Sequence, residues 1–111
     1  MPNIFKLHTK DGSAIPSSTE TTVYTTPLDT TTVVVGLSLA NLSTDTIFVD
    51  VLVSNNDGDE VHYVKNAPIP TGSTIEIMSG NKIVLEQGDS VKVISSEDNS
   101  LDTILSVMEQ T

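Results

Sequence analysis

The stretch IFVDVLVSNNDGDEVHY, residues 47–63, decides the fold class of this chain. Its first half alternates apolar and polar side chains, with Asp50 marking the outer face, and this is the period of a half-buried β-strand. Residues 55–58 then supply asparagine, aspartate and glycine, which tolerate the positive φ angles of a tight turn. Alternation resumes at Val61 and Tyr63, so the stretch predicts a β-hairpin in which Tyr63 faces the core.

Alternating runs continue on both sides of this hairpin, and turn signals separate them at spacings of about ten residues. The apolar positions predicted to line the core are Val33, Val35, Leu37 and Leu39 before the hairpin and Leu101, Leu105 and Val107 at the end of the chain. The turn signals include residues 79–81 and the proline-rich residues 67–72, which belong in a loop or at a sheet edge. No window shows the spacing of an amphipathic helix. The sequence therefore predicts an all-β fold, an antiparallel two-sheet sandwich that is jelly-roll-like, with about seven to nine strands.

The first 22 residues predict a division of the chain. Residues 11–22 are polar and contain glycine and proline, which is typical of a linker. This gives a segment over 1–10, a linker over 11–22 and the β-sandwich domain over 23–111. The first segment alternates apolar with basic side chains, and two interpretations of it stay open: an N-terminal arm that docks on a partner, or the first strand of the chain's own sandwich.

Composition excludes several classes of partner. The 111-residue chain carries a formal net charge of −10 at pH 7 and contains no cysteine. Phosphate backbones and anionic lipids repel such a surface, so nucleic acid and membranes are not expected as partners. Neither disulfides nor thiolate metal sites can form without cysteine. The sequence shows no signal peptide and no apolar run as long as a membrane span, which predicts synthesis in a cytoplasm.

Catalysis finds little support in the sequence. Nucleophilic catalysis needs a base beside the nucleophile, but His8 lies in the N-terminal segment and His62 on the outer face of a strand. No nucleophile-elbow motif of a hydrolase occurs. The carboxylates near Asp57 are interpreted as turn residues, although their spacing faintly resembles a calcium loop. The chain is therefore predicted to be no enzyme, with no catalytic residue, no metal and no cofactor.

A carbohydrate-binding β-sandwich module is the alternative from another class. Sugar sites use an exposed aromatic side chain as a platform for the apolar face of the sugar. The chain has no tryptophan, two tyrosines and two phenylalanines. An exposed Tyr24 is the feature that would favour this alternative.

Four stretches have a distinctive sequence: VYTTP at residues 23–27, KNAPIPTGS at 65–73, KIVLEQGDSV at 82–91, and the end of the chain from LD at 101–102 to LSVME at 105–109. Together they resemble small threonine-rich virion proteins of tailed bacteriophages, most of all the capsid decoration proteins known as cement or staple proteins. The resemblance implies a jelly-roll-like sandwich on the capsid surface, made in the host cytoplasm, that binds the major capsid protein and stabilises contacts between capsomers. Phage neck and tail structural proteins share this style of sequence, so they are the alternative.

Two groups of residues are predicted to bind partners. The first could add to the sheet edge of an acidic partner and consists of Ile4, Phe5, Lys6, Leu7, His8 and Lys10. A monomer this small has little reason to expose apolar side chains on otherwise polar strand faces. Positions of that kind are Val34, Ile104 and Met108, and they predict a homodimer or homotrimer.

Overall fold

A computed structural model describes residues 3–11, 15–78 and 82–111. These residues form nine β-strands and no helix, and hence no helix able to cross a membrane. In chain order the strands are β1 (Asn3–Lys10), β2 (Thr21–Thr25), β3 (Thr31–Asn41), β4 (Ile47–Ser54), β5 (Glu60–Ile69), β6 (Thr74–Glu76), β7 (Ile83–Leu85), β8 (Ser90–Ser95) and β9 (Leu101–Gln110). The predicted turn over 79–81 lies outside the described residues.

The strands form two antiparallel sheets. The β1 sheet has the order β1-β9-β3-β6, with β7 also paired to β3, and the β2 sheet has the order β2-β8-β4-β5. The pairs nest along the chain: β1 with β9, β2 with β8, β3 with β6 and β7, and β4 with β5. Successive nested pairs alternate between the sheets, which is the winding of an eight-stranded jelly roll whose sixth strand is split into β6 and β7. The predicted all-β two-sheet sandwich is confirmed.

The core lies between the sheets and follows the sequence alternation closely. From β4, Ile47, Val49 and Val51 point inward with at most 1% of their surface exposed. Leu105 and Val107 of β9, in the other sheet, are equally buried, as predicted, and belong to the same core cluster. Burying each such side chain contributes about 1.5–3 kcal/mol, so the core cluster shared by the two sheets stabilises their packing.

The predicted core face of β3 is correct at Leu37 and Leu39 and wrong at Val33 and Val35. Val34 is 1% exposed and packs in the core, whereas Val35 is 37% exposed. The cause is a register shift, because Val34 pairs with Val107 and Gly36 pairs with the next residue, Ser106. Val35 is the extra residue of a β-bulge, and a one-residue slip exchanges the two faces of a strand.

The N-terminal residues pack against the rest of the chain. Every residue of β1 pairs with β9, which matches the second interpretation of this segment, and β1 is an edge strand. Within the described part of the predicted linker, Ile15 is fully buried and Ser17 forms an isolated bridge with Ser95. Strand β2 begins at Thr21, just inside that linker. The division of the chain at residues 10 and 22 stays a prediction.

Candidate interaction surfaces

The outer side of the β1 sheet carries an apolar surface. On β9, Leu105 and Val107 are buried in the core, so Ile104 and Met108 point to the opposite side, and Ile104 is 48% exposed. Directly paired residues of antiparallel strands share a side of the sheet. The outward apolar side chains, which we call the apolar face, are Phe5, Leu7, Val33, Val35, Val84, Ile104 and Met108.

One unbroken row of apolar side chains crosses four strands of this face. Phe5 of β1 pairs with Met108 of β9, Met108 with Val33 of β3, and Val33 with Val84 of β7. Phe5 is 73% exposed and Val84 60%. Such cross-strand neighbours contact each other along the row, so the row forms a continuous apolar band.

The next two rows add a ridge and a trough. Leu7, 65% exposed, pairs with Ser106, which in turn pairs with Gly36. Phe5 and Leu7 therefore form a ridge along the edge strand β1, while small side chains lie in the middle of the sheet. The third row consists of Thr9, Ile104, Ser38 and Glu76.

Glu76 is the charged residue of these three rows, and its carboxylate forms hydrogen bonds within its own chain. It accepts hydrogen bonds from the N–H groups of Leu37 (2.8 Å) and Met78 (3.1 Å) and from the hydroxyl of Ser38 (2.9 Å). Burial alone would raise the pKa of Glu76, but these three donors outweigh it and lower the pKa below its ordinary value. The charge is thus held at the rim of the apolar face by its own chain.

The outer side of the β2 sheet has the opposite character. Lys92 Nζ lies 3.1 Å from a carboxylate oxygen of Glu60 and 3.5 Å from one of Glu20. His62 Nε2 lies 3.6 Å from an oxygen of Asp50. These polar side chains cover Leu52, which pairs directly with His62 and Lys92 and is only 3% exposed. Phe48, on the same outer side of β4 as Asp50, is 48% exposed. This surface is therefore mainly polar with one exposed aromatic side chain, whereas the apolar face is a continuous apolar surface.

A polar cluster fastens β1 to the sandwich. The buried carboxylate of Glu109 accepts a hydrogen bond from the Tyr24 hydroxyl (2.5 Å) and lies 3.0 Å from Lys6 Nζ. The Tyr24 hydroxyl also lies 2.8 Å from the hydroxyl of Thr32, and the His8 ring centre is 4.7 Å from that of Tyr24.

These contacts shift two pKa values in opposite directions. The hydrogen bond from Tyr24 lowers the pKa of Glu109, and Lys6 lowers it further. Burial alone would raise this pKa, but the two partners outweigh it. Burial first, and then the hydrogen bond to Glu109, raises the pKa of Tyr24 to about 12. Glu109 is therefore held as a carboxylate and Tyr24 as a neutral phenol, each in the form that the hydrogen bond between them requires.

The structure divides the predicted partner-binding residues into three sets. Phe5, Leu7, Ile104 and Met108 come together on the apolar face. Ile4, Lys6, His8 and Lys10 lie on the other side of β1, paired with the inward residues of β9. Val34 is inside the core. The sequence analysis did not identify Val84, although its place between Ile83 and Leu85 in a short alternating run was a signal for it.

The residues that the sequence offered for catalysis, metal binding or sugar binding make contacts within the fold instead. His62 is paired with Asp50, whose other carboxylate oxygen accepts a hydrogen bond from the N–H of Asn66 (2.7 Å). Among the described residues no three histidine, aspartate or glutamate side chains are grouped to hold a metal ion. In the β4–β5 turn, Asn55 Oδ1 accepts a hydrogen bond from the N–H of Asp57 (2.6 Å). Tyr24 is 4% exposed, so the feature that would favour carbohydrate binding is missing.

Tyr63, predicted to face the core, is 36% exposed. The cause is a second irregularity, because Val51 pairs with Val64 while Leu52 pairs with His62. Tyr63 is left as the extra residue between them. The prediction for Tyr63 is therefore wrong for the same reason as the one for Val35.

An open pocket of about 410 Å³ lies where β1 and β9 reach the end of the sheet. Its lining is Thr9, Lys10, Asp11, Leu42, Asp102, Thr103 and Ile104. It shares Ile104 with the apolar face and extends that surface toward the loop after β3.

The fold is similar to that of proteins in assembled particles. A protein of Bacillus endospore appendages, described as a family of disulfide-linked pili, matches with a TM-score of 0.57 and 12% identity over 98% of this chain and 88% of that one. A chain of the T13 particle of infectious bursal disease virus matches with a TM-score of 0.59 and 10% identity. That match covers 96% of this chain but only 30% of the viral chain. At such identities the likeness shows the fold alone. No protein-family model and no curated protein sequence matches this chain.

Proposed function

We propose that this chain is a non-catalytic structural protein of a virion, a capsid decoration protein that binds the outer shell and stabilises contacts between capsomers. The observation that carries the proposal is the apolar face. One outer side of the sandwich holds ion pairs, and the other holds a four-strand apolar band whose two end side chains, Phe5 and Val84, are exposed. Exposed apolar patches on small proteins mark contact surfaces, so the domain is suited to being covered on one side.

The fold and the charge support the same role. Proteins that share the fold belong to a pilus and to a viral particle. A net charge of −10 keeps unassembled copies apart and in solution. Once copies reach a repeating surface, many modest contacts add up through multivalency. Unlike the named pili, this chain contains no cysteine, so its contacts must be non-covalent or use other chemistry.

The free edge of β1 is the proposed attachment site for the major capsid protein. An edge strand presents N–H and C=O groups to which a strand of another chain can add. Lys6 and Lys10 place two of the five lysines on this strand, which weakens the repulsion that the acidic body meets at an acidic shell.

A charge reversal tests this attachment site. Replacing Lys10 with glutamate should lower binding to undecorated shells roughly tenfold, while Lys65→Glu on β5 of the other sheet should leave it unchanged. Equal effects of the two substitutions would assign the lysines a general electrostatic role and remove β1 from the attachment site.

A quantitative mass-spectrometric inventory of purified virions tests the proposed function. Hundreds of copies of the chain per particle support a decoration protein, because a shell repeats its sites. About a dozen copies would instead indicate a neck or tail part, since those structures are rings. Absence of the chain from the particle would reject a virion role altogether.

A further inference from the structure

We propose that the apolar face is the contact between two copies of this chain, which pack with their β1 sheets face to face. The proposal goes beyond the function above, because it concerns the free protein and holds at shell, neck or tail. Three observations support a second copy as the occupant: the charge of the face, its shape and the character of the opposite sheet. The area of the face then sets the expected affinity.

The charge distribution favours this face over the rest of the surface. With a net charge of −10, two copies repel each other over most approaches. The band from Phe5 through Met108 and Val33 to Val84 contains no charged side chain. Glu76 at the rim is already held by three donors of its own chain. The opposite side of the sandwich has Lys92 paired with Glu20 and Glu60 of its own chain, and its exposed Phe48 is not part of a row of apolar side chains across the sheet.

The shape of the face fits a copy of itself. The ridge of Phe5 and Leu7 stands at one edge, and the trough at Ser106 and Gly36 lies in the middle. A two-fold axis in the plane between the two sheets, parallel to the strands and over the trough, brings the troughs of the two copies together and places the ridge of each copy over the far end of the other's band, at Val84. This is the isologous arrangement of symmetric dimers. Two sheets that pack in this way lie about 10 Å apart with interdigitating side chains.

The area of the apolar face sets the expected affinity between the two copies. Three rows across four strands span about 400 Å² of sheet, from a strand spacing of about 4.8 Å and a rise of about 3.4 Å per residue. A standard interface buries about 800 Å² on each partner. The dimer is therefore weak in dilute solution, with a dissociation constant on the order of 100 μM, and it becomes populated where copies are concentrated.

Cysteine cross-linking tests this pairing, because the chain has no cysteine of its own. Ser106→Cys places a thiol at the centre of the face, beside the proposed two-fold axis. Its control is Thr22→Cys, an exposed position on the outer side of the β2 sheet, opposite Lys92. We expect Ser106→Cys to form disulfide-linked dimers at least tenfold faster than Thr22→Cys, at a rate that rises with protein concentration. Equal rates for the two variants would overturn the proposal.

Sedimentation equilibrium provides a second measurement with matched substitutions. Phe5→Asp adds a charge at a side chain that is 73% exposed on the face, and Leu28→Asp adds the same charge at one that is 72% exposed outside the paired rows. Phe5→Asp should raise the dimer dissociation constant at least tenfold, and Leu28→Asp should change it less than threefold. A chain that stays monomeric at about 1 mM, or equal effects of both variants, contradicts the pairing. Failure here with hundreds of copies in the virion would reject the dimer and leave the proposed function standing.

Discussion

The hydrogen bond between Tyr24 and Glu109 should be one of the strongest single contributions to the stability of this sandwich. Tyr24→Phe removes the hydroxyl that bonds to the buried Glu109 carboxylate at 2.5 Å and to Thr32 at 2.8 Å. A hydrogen bond to a charged group contributes about 1.5–3 kcal/mol. We therefore expect the free energy of unfolding at pH 7 to fall by about 2–3 kcal/mol, or Tm by roughly 8–12 °C at about 4 °C per kcal/mol.

The same substitution should lose part of its effect in acid. The pKa of Glu109 is lowered in the folded protein, so its contribution is present above the ordinary value of 4.5 and is lost as the pH falls below it. A protonated Glu109 keeps only a neutral hydrogen bond to Tyr24, which contributes about 1 kcal/mol. Urea denaturation of both proteins at pH 7 and near pH 3 should show the difference in unfolding free energy shrinking to about that size.

Tyr63→Phe is the matched control, because it removes a hydroxyl from a partly exposed tyrosine. It should change the free energy of unfolding by less than about 0.5 kcal/mol. A double-mutant cycle with Glu109→Gln should give a coupling energy of at least about 1 kcal/mol. The reasoning would be refuted if Tyr24→Phe had no larger effect than Tyr63→Phe at pH 7, or if its effect were the same at both pH values.

Three further predictions test the bulge, a turn and the buried phenol. Val34→Ala should lower the free energy of unfolding by about 2–3 kcal/mol, because it removes buried methyl groups, whereas Val35→Ala should lower it by less than about 1 kcal/mol. Chemical denaturation measures both. A larger loss for Val35→Ala would mean that Val35 lies in the core, as the sequence alternation predicts. Gly72→Ala and Gly88→Ala both place alanine at a positive φ, but a Cβ at Gly88 also comes within 2.6 Å of the Asn56 side chain. Thermal denaturation should therefore show a lower Tm for Gly88→Ala than for Gly72→Ala. Equal losses of Tm would mean that Asn56 moves aside freely. Because the pKa of Tyr24 is raised to about 12, the contribution of its phenol to stability is present below the ordinary pKa of 10.0 and is lost as the pH rises toward 12. The wild-type protein should therefore lose more unfolding free energy between pH 10 and pH 12 than Tyr24→Phe. Parallel losses in the two proteins would contradict the burial of the phenol.

The local parts of this fold could be predicted from the sequence. The β4–β5 hairpin is encoded by the alternation of β4 and the Asn-Asn-Asp-Gly turn that follows it, and Gly58 at that turn has a φ of 102°. The faces of β9 follow the alternation of residues 101–108 without interruption. In both cases the signal lies within one run of residues, and no distant partner is needed to interpret it.

The irregular parts could not be predicted, because distant pairing decides them. In the run TTVVVGLSL, residues 31–39, apolar side chains occupy both parities, so the sequence does not show where β3 slips. The slip at Val35 is defined by pairing with β9, and the displacement of Tyr63 by pairing with β4. Likewise Tyr24 and Glu109 are 85 residues apart, and the apolar face draws its residues from four strands. Topology brings these groups together, and a single sequence carries no direct record of it.

Adding the purified protein back to virions that lack it tests the central claim most directly. Particles made without this chain are mixed with increasing amounts of the protein, and binding and the temperature at which the shell opens are measured together. The account predicts saturable binding at many sites per shell and an opening temperature that rises with occupancy. Lack of binding, or binding that leaves the opening temperature unchanged, would contradict a role in stabilising the shell.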